Sequence, residues 1–283
     1  MYRLAAVSAL ILIFADAPAK ESTLLNNGLT AQEIIDHAVA KAEAQYESLV
    51  AAMFESVAVT TTKSLDGDGK VTKKEWTKRR QYPLQGALFV ELVEKNGRPL
   101  NDKELHDEEK IKRDFIREVE ERISRGEHPQ PESEPGIRFN HEFVQRYQLT
   151  LEGNEIIRGH RCWVIRFEPQ NGKLPVRNRM DRALNQSTGK FWVSQDDYGL
   201  ARVEFALRKP FKYWGGFLAV IRNTDGSMDY TQVEPDIWLP LHFDLKLDLK
   251  IMMVKNIRRH ISIDYTGYRR SDGIVAFRET ASE

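Results

Sequence analysis

The residues with the most metal-like spacing are Asp66, Asp68 and Glu75, in the run SLDGDGKVTKKE from Ser64 to Glu75. With Gly69 between them, they stand at the third, fifth and twelfth places of a helix–loop–helix calcium loop, and the glycine at the sixth. Ser64 stands where an aspartate normally opens that loop. The flanks carry strand composition rather than helix, so a hairpin turn is the expectation and calcium the alternative. Seven histidines are scattered without ligand spacing, and His141-Glu142 lacks a second histidine four residues on. Searches for G-x-S-x-G, H-E-x-x-H, a Walker loop and a dinucleotide fingerprint find nothing. Cys162 is the single cysteine, so it cannot form an internal disulfide, and it sits in a strand-like run with no neighbour to lower its pKa. Asp196-Asp197 is a carboxylate pair placed in a turn, where solvation accounts for it. Catalysis, a cofactor and a metal are therefore not expected.

Binding is the remaining chemistry, and three stretches could supply it. The run PVRNRMDRALN, Pro175 to Asn185, reads as a short helix. Its Arg177, Arg179 and Arg182 suit anionic groups through bidentate forks, and with Met180 they would form a lid; the alternative is a solvated connector. Lys212 to Ile221, KYWGGFLAVI, sets an aromatic pair and two glycines before an apolar run; this is a bend in a strand, or a lip that touches a membrane or an envelope protein. The third candidate is the inward set Trp163, Ile165, Phe167, Trp192, Val203, Phe205, Leu241, Phe243, Leu245 and Leu247, which would line an apolar cavity or simply pack as a core.

The elements that must position these residues follow from periodicity. Thr30-x-x-Glu33 is a capping box, and Ile35, Val39, Ala42, Tyr46, Leu49 and Met53 continue on one face for about six turns. Strands are expected over 56–62, 71–82 and 88–93. A second helix, 101–125, carries the narrow stripe Ile111, Phe115, Val119 and Ile123 among charges and would lie on the outside of something. From Tyr147 onward the chain is nearly all strand. In Gly189–Leu207, Val203, Phe205 and Leu207 alternate with polar residues after an Asp196-Asp197-Tyr198-Gly199 turn. Leu239 to Ile251 places Leu241, Phe243, Leu245, Leu247 and Leu249 on one side against His242, Asp244, Lys246 and Asp248 on the other. Each large apolar side chain gains roughly 1.5–3 kcal/mol on burial, so this strand must hide one face. A one-sided antiparallel sheet with few helices has to curl around them or around a guest.

Arg3, the apolar run Leu4–Phe14 and the small-x-small sites at Ala15–Ala19 read as an export signal, with cleavage expected after Ala19 and a periplasmic product. Lysine plus arginine equals aspartate plus glutamate at 42 each, so no global basic field points to nucleic acid. An outer-membrane barrel is disfavoured because the alternate strand faces carry Asp, Lys and Arg.

The runs GKFWVSQDDYGLARVE, G-x-x-C-W-V-I-R-F-E-P before it and W-L-P after it resemble the LolA-like, outer-membrane lipoprotein-sorting family, and its longer relatives most. The resemblance covers roughly residues 30–268. It implies an α+β fold, a curved antiparallel half-barrel with helices across the concave side. It also implies one such domain over 20–283, with a charged helical insertion at about 94–140. The function it implies is a non-catalytic carrier of lipid or of acylated protein, with lipid or lipoprotein acyl chains as partner and no nucleic acid. The alternative is an envelope interaction module whose half-barrel is filled by its own helix. One departure stands out: the family's lid-fastening arginine on the first strand has no counterpart in residues 51–62.

Overall fold

The computed structural model describes residues 28–131, 138–176, 179–213, 219–252 and 255–271, so the expected signal lies outside the described residues. Helix α1 (Ala31–Glu47) opens on Thr30, whose hydroxyl accepts from the Glu33 N–H while the Glu33 carboxylate accepts from the Thr30 N–H at 2.7 Å. A 3-10 turn, Val50–Met53, leads into β1 (Phe54–Leu65), β2 (Val71–Leu84), β3 (Ala87–Lys95) and the short β4 (Arg98–Pro99). Helix α2 (Asp102–Ser124), capped by Asn101, and the single turn α3 (His141–Val144) precede β5 (Tyr147–Ile157) and β6 (His160–Pro169). Then come α4 (Arg179–Leu184), β7 (Ser187–Ser194), β8 (Leu200–Leu207), β9 (Phe211–Tyr213), β10 (Ala219–Glu234), β11 (Ile237–Ile251) and β12 (Lys255–Arg270).

Every pairing is antiparallel, and the order is β4-β3-β2-β1-β12-β11-β10-β8-β7-β6-β5, with β9 on β10. The last strand closes on the first in the middle of the sheet, and β4 and β5 form its two free edges. This is the expected α+β class, one open, curved antiparallel sheet with few helices. Its bend is written in one cross-strand row: Leu149, Phe167, Gly189, Phe205, Gly226, Leu245 and Ile261 stand in register. A Cβ on Gly189 would lie 1.8 Å from the Glu204 carbonyl oxygen, and one on Gly226 would lie 2.6 Å from the Asp244 oxygen. Only glycine permits that approach, and the Phe167 and Phe205 rings lie over the glycines they flank.

The inner face is the one that carries α1. Ile34, Ile35, Ala38 and Val39 pack there with Tyr147, Trp163, Ile165, Phe167, Phe191 and Val193. Helix α2 does not join them. Phe115 of α2 meets Phe89 at 4.9 Å, and Phe89 pairs with Tyr82. Following the register from Phe243 through Ile263, Thr60 and Thr77 puts Arg79 and Gln81 on the inner face and Tyr82 on the outer one. The charged helix thus lies outside the sheet, as its narrow apolar stripe requires.

Candidate functional site

Two rows of side chains cross the inner face. One is Ile165, Phe191, Val203, Met228, Phe243 and Ile263; the other is the bent row through Phe167, Phe205, Leu245 and Ile261. Both turn to threonine on β1, at Thr60 and Thr62. The rows share a chemistry but not an environment. On β6 and β7, Trp163, Ile165, Phe167 and Phe191 are at most 3% exposed beneath α1, Phe139 and Phe143. Val203 and Phe205 pack only partly against that cluster. Phe243, Leu245, Leu247, Ile261 and Ile263 belong to neither core cluster and are half-buried. From β8 to β12 the half-buried lane crosses four strands, roughly 15–20 Å at the usual strand spacing.

Eight of the ten sequence-predicted lining residues share this face by register: Trp163, Ile165, Phe167, Val203, Phe205, Phe243, Leu245 and Leu247. Trp192 does not. It pairs with Val164, packs with Cys162, Ala201 and Trp238 on the outer face, and donates its Nε1–H to Glu155 at 2.8 Å. The expected inward place of Trp192 is taken by its neighbour Phe191. Leu241 is skipped by the pairing at a bulge between Asp229/His242 and Tyr230/Pro240.

Of the expected lid, Arg177 lies outside the described residues, and only the backbone of Arg179 and Met180 is described, as the start of α4. Arg182 is exposed. The helix itself is tied down by a pair that sequence reasoning missed. The Arg146 guanidinium, 4% exposed, donates to Asp181 at 2.7 Å, to Asn185 at 2.9 Å and to the Pro175 carbonyl at 3.1 Å.

A second missed cluster fastens α1. Asp197, in the β7–β8 turn, is not a solvated carboxylate. Its Oδ2 accepts from Lys41 Nζ at 2.7 Å and from Trp238 Nε1 at 2.8 Å, and its Oδ1 accepts from the Gly199 N–H at 3.0 Å. Burial alone would raise its pKa, but the donors from Lys41, Trp238 and Gly199 outweigh that and hold it below the usual carboxylate range. The Trp238 indole lies against Gly199, where a Cβ would come within 1.9 Å of Nε1. A helix lysine and a turn aspartate thus tie α1 to the β7–β8 turn. No local signal links Lys41 to a turn 156 residues away.

The remaining candidates settle simply. Asp66 Oδ1 accepts from the N–H groups of Asp68 and Lys70 at 3.0 and 2.9 Å, which makes the Ser64–Glu75 run a hairpin turn between β1 and β2. No group of three or more His, Cys, Asp or Glu side chains could hold a metal among the described residues. Cys162 is fully buried, and desolvation pushes its thiol up to about 11. A groove of about 490 Å³ lies on the outer face, where Arg166, Lys190 and Lys246 alternate with Glu168, Glu204 and Asp244. No helix of the described residues is long and apolar enough to cross a membrane.

The fold is similar to three solved structures. A LolA superfamily protein from Nitrosomonas europaea is 14% identical, with a TM-score of 0.33 over 86% of this chain and 94% of that one. A DUF1329 family protein from Desulfovibrio piger is 13% identical, with a TM-score of 0.34 over 90% and 99%. A third, from Vibrio parahaemolyticus and named for outer membrane lipoprotein sorting, is 11% identical, with a TM-score of 0.33 over 86% and 94%. No protein-family model and no curated protein matches the sequence.

Proposed function

We propose that the chain is an exported, periplasmic, non-catalytic binder of lipid or acylated cargo, and that the cargo's acyl chain lies along the open half of the inner face. One observation carries the reading. Five large apolar residues from β11 and β12, Phe243, Leu245, Leu247, Ile261 and Ile263, form a continuous lane that neither core cluster absorbs. Each methylene laid there leaves water for about 0.8 kcal/mol, so one long chain supplies micromolar affinity or better after the cost of ordering. The β5–β7 half serves as a rigid wall, because α1 already fills it.

That same filling favours a second reading, an envelope interaction module with no small ligand, since Trp163, Ile165 and Phe167 are wholly packed beneath α1. Native mass spectrometry of protein exported to a periplasm and purified without detergent separates the two. The carrier reading expects an acyl-bearing adduct, identified after denaturing extraction and lost in Leu245→Asp with the circular dichroism unchanged. A clean apo mass, with no fatty acid taken up from vesicles, refutes it and leaves the module.

A further inference from the structure

Where β10, β11 and β12 meet, a hairpin tip holds an exposed apolar residue in the left-handed position, whereas Tyr198 in the β7–β8 turn, also left-handed, stacks on Trp163 at 5.4 Å. Four tips place a polar residue in the left-handed position: Gln85 before Gly86, Asn96 before Gly97, Arg158 before Gly159, and Asp236. Asn and Asp tolerate positive φ there, and the polar ends of Gln and Arg stay in water. The β11–β12 tip instead puts Met252 at φ 48°, with its side chain 61% exposed. Ile251 precedes it, and Lys250 and Lys255 flank the turn, with Lys255 directly opposite Ile251 in register. Methionine gains nothing from that backbone and buries little, so the choice has no explanation within the fold.

The charges around the tip are as one-sided as its apolar residue is exposed. The described strand ends 219–223, 247–252 and 255–259 hold five cations, Arg222, Lys250, Lys255, Arg258 and Arg259, against one carboxylate, Asp248. Asp248 is already engaged by Arg222 at 2.8 Å and by Arg258 at 3.1 Å. Lys250, Lys255 and Arg259 make no ion pair among the described residues. The adjoining β1–β2 turn does not cancel the excess: Asp66, Asp68 and Glu75 stand beside Lys63, Lys70, Lys73 and Lys74. In a chain whose formal net charge is zero, this end is locally cationic.

We propose that this sheet end docks on an anionic lipid surface, with Met252 and Ile251 entering the interface and Lys250, Lys255 and Arg259 meeting the headgroups. An exposed apolar residue among cations that make no ion pair with the described residues fits a bilayer on both counts, since the interface accepts the thioether and the surface potential attracts the lysines. The tip lies past the end of the apolar lane, where Arg259 stands opposite Leu247 in register, and the variants at Lys250, Lys255 and Met252 change no lane residue, so acyl uptake in solution and vesicle binding are separate readouts and either can fail alone.

The test is co-sedimentation of the full chain with phosphatidylglycerol vesicles and with phosphatidylcholine vesicles. Binding is expected to the first and not to the second, and to fall steeply in high salt as the Debye length shortens. Each lysine near the surface is worth about a fivefold change in partitioning, so Lys250→Gln with Lys255→Gln should weaken binding on the order of 25-fold. Met252→Ser, which leaves the charge unchanged, should weaken it as well. All three changes sit in or beside an exposed turn, and circular dichroism checks that the fold is kept. Equal binding to both vesicle types, no binding to either, or full binding by both variants overturns the proposal. Capture by acidic peptide or nucleic acid without vesicle binding also overturns it, and reassigns the patch.

Discussion

Replacing Asp197 by alanine removes one side chain but disturbs three elements. Its carboxylate, 9% exposed, holds Lys41 of α1 and Trp238 of β11, and it closes its own turn through the Gly199 N–H. In Asp197→Ala the Lys41 ammonium, 17% exposed, keeps only the Asp197 carbonyl at 2.8 Å and the exposed Asp236 carboxylate at 3.3 Å. Removing one partner of a buried ion pair costs roughly 3–5 kcal/mol, and an orphaned indole N–H adds to it. Because Lys41 retains these two acceptors, the lower end, about 3 kcal/mol, is expected. Lys41→Met keeps the apolar stem and leaves Asp197 its other donors, so about 1.5 kcal/mol is expected there. The two changes should not add: the double variant should resemble Asp197→Ala alone, a coupling of about 1.5 kcal/mol. Urea unfolding reads these differences, and the thermal midpoint should drop by roughly 6–12 °C for Asp197→Ala in a chain of this size. The pH dependence fixes the sign. A carboxylate with a depressed folded pKa contributes stability that is complete above its unfolded value, near 4, and is lost as pH falls through the folded value. The gap between wild type and Asp197→Ala should therefore be constant between about pH 6 and 8 and shrink below about pH 4. A loss under about 1 kcal/mol, or strict additivity with Lys41→Met, would refute the fastening argument.

Asp181→Ala should free α4 at a cost of about 3–5 kcal/mol, because Arg146 is left buried without its closest carboxylate; trypsin cutting at Arg182 should accelerate, and an unchanged digestion rate counts against it. Gly189→Ala drives a methyl group into the Glu204 carbonyl and should destabilise by more than about 2 kcal/mol, whereas Gly67→Ala, with open space around it, should cost under about 0.5 kcal/mol. The Cys162 thiol should stay unlabelled by iodoacetamide at pH 8 until denaturant is added, since burial both shields it and holds its pKa near 11. Calorimetry with millimolar calcium should show no heat from the Ser64–Glu75 turn, because Asp66 Oδ1 already accepts two backbone N–H groups.

Much of the sheet was legible because period two survives wherever one face is wet. The β11 alternation of Phe243, Leu245 and Leu247 with Asp244 and Lys246 came through directly into the register. It failed at Trp192, where both faces are buried. Phe191 packs inward and Trp192 outward, and Val193 inward again, so Phe-Trp-Val carries no phase for a reader to lock onto. The bulge beside Trp192 and Val193 shifts the register there as well. The start of α1 was readable from chemistry alone, since Thr30 and Glu33 satisfy their own orphan N–H groups; the structure shows Asn101 and Glu104 doing the same for α2. The fasteners were not. Lys41 with Asp197, and Arg146 with Asp181, join positions whose nearness exists only after folding, and a lysine or an aspartate in isolation looks like solvated surface.

Periodicity is equally blind to whether a hydrophobic face is covered. Phe167 on β6 and Phe205 on β8 are aromatics on the same face, in the same row, each lying against a glycine. Phe167 is 1% exposed and Phe205 is half-buried. What separates them is the reach of α1, whose buried residues Ile34 to Val39 span little more than one turn. A helix with so short a buried stretch can roof about three strands and no more. The sheet needs a roof over seven, from β5 to β12, because its apolar rows run that far. The mismatch between a long apolar row and a short apolar helix is itself readable in the sequence once the register is known. On the proposed carrier reading, the guest would lie on the β8–β12 side of the inner face. Substitutions at Phe243 or Leu245 should then affect cargo more than stability, and those at Ile165 or Phe191 the reverse.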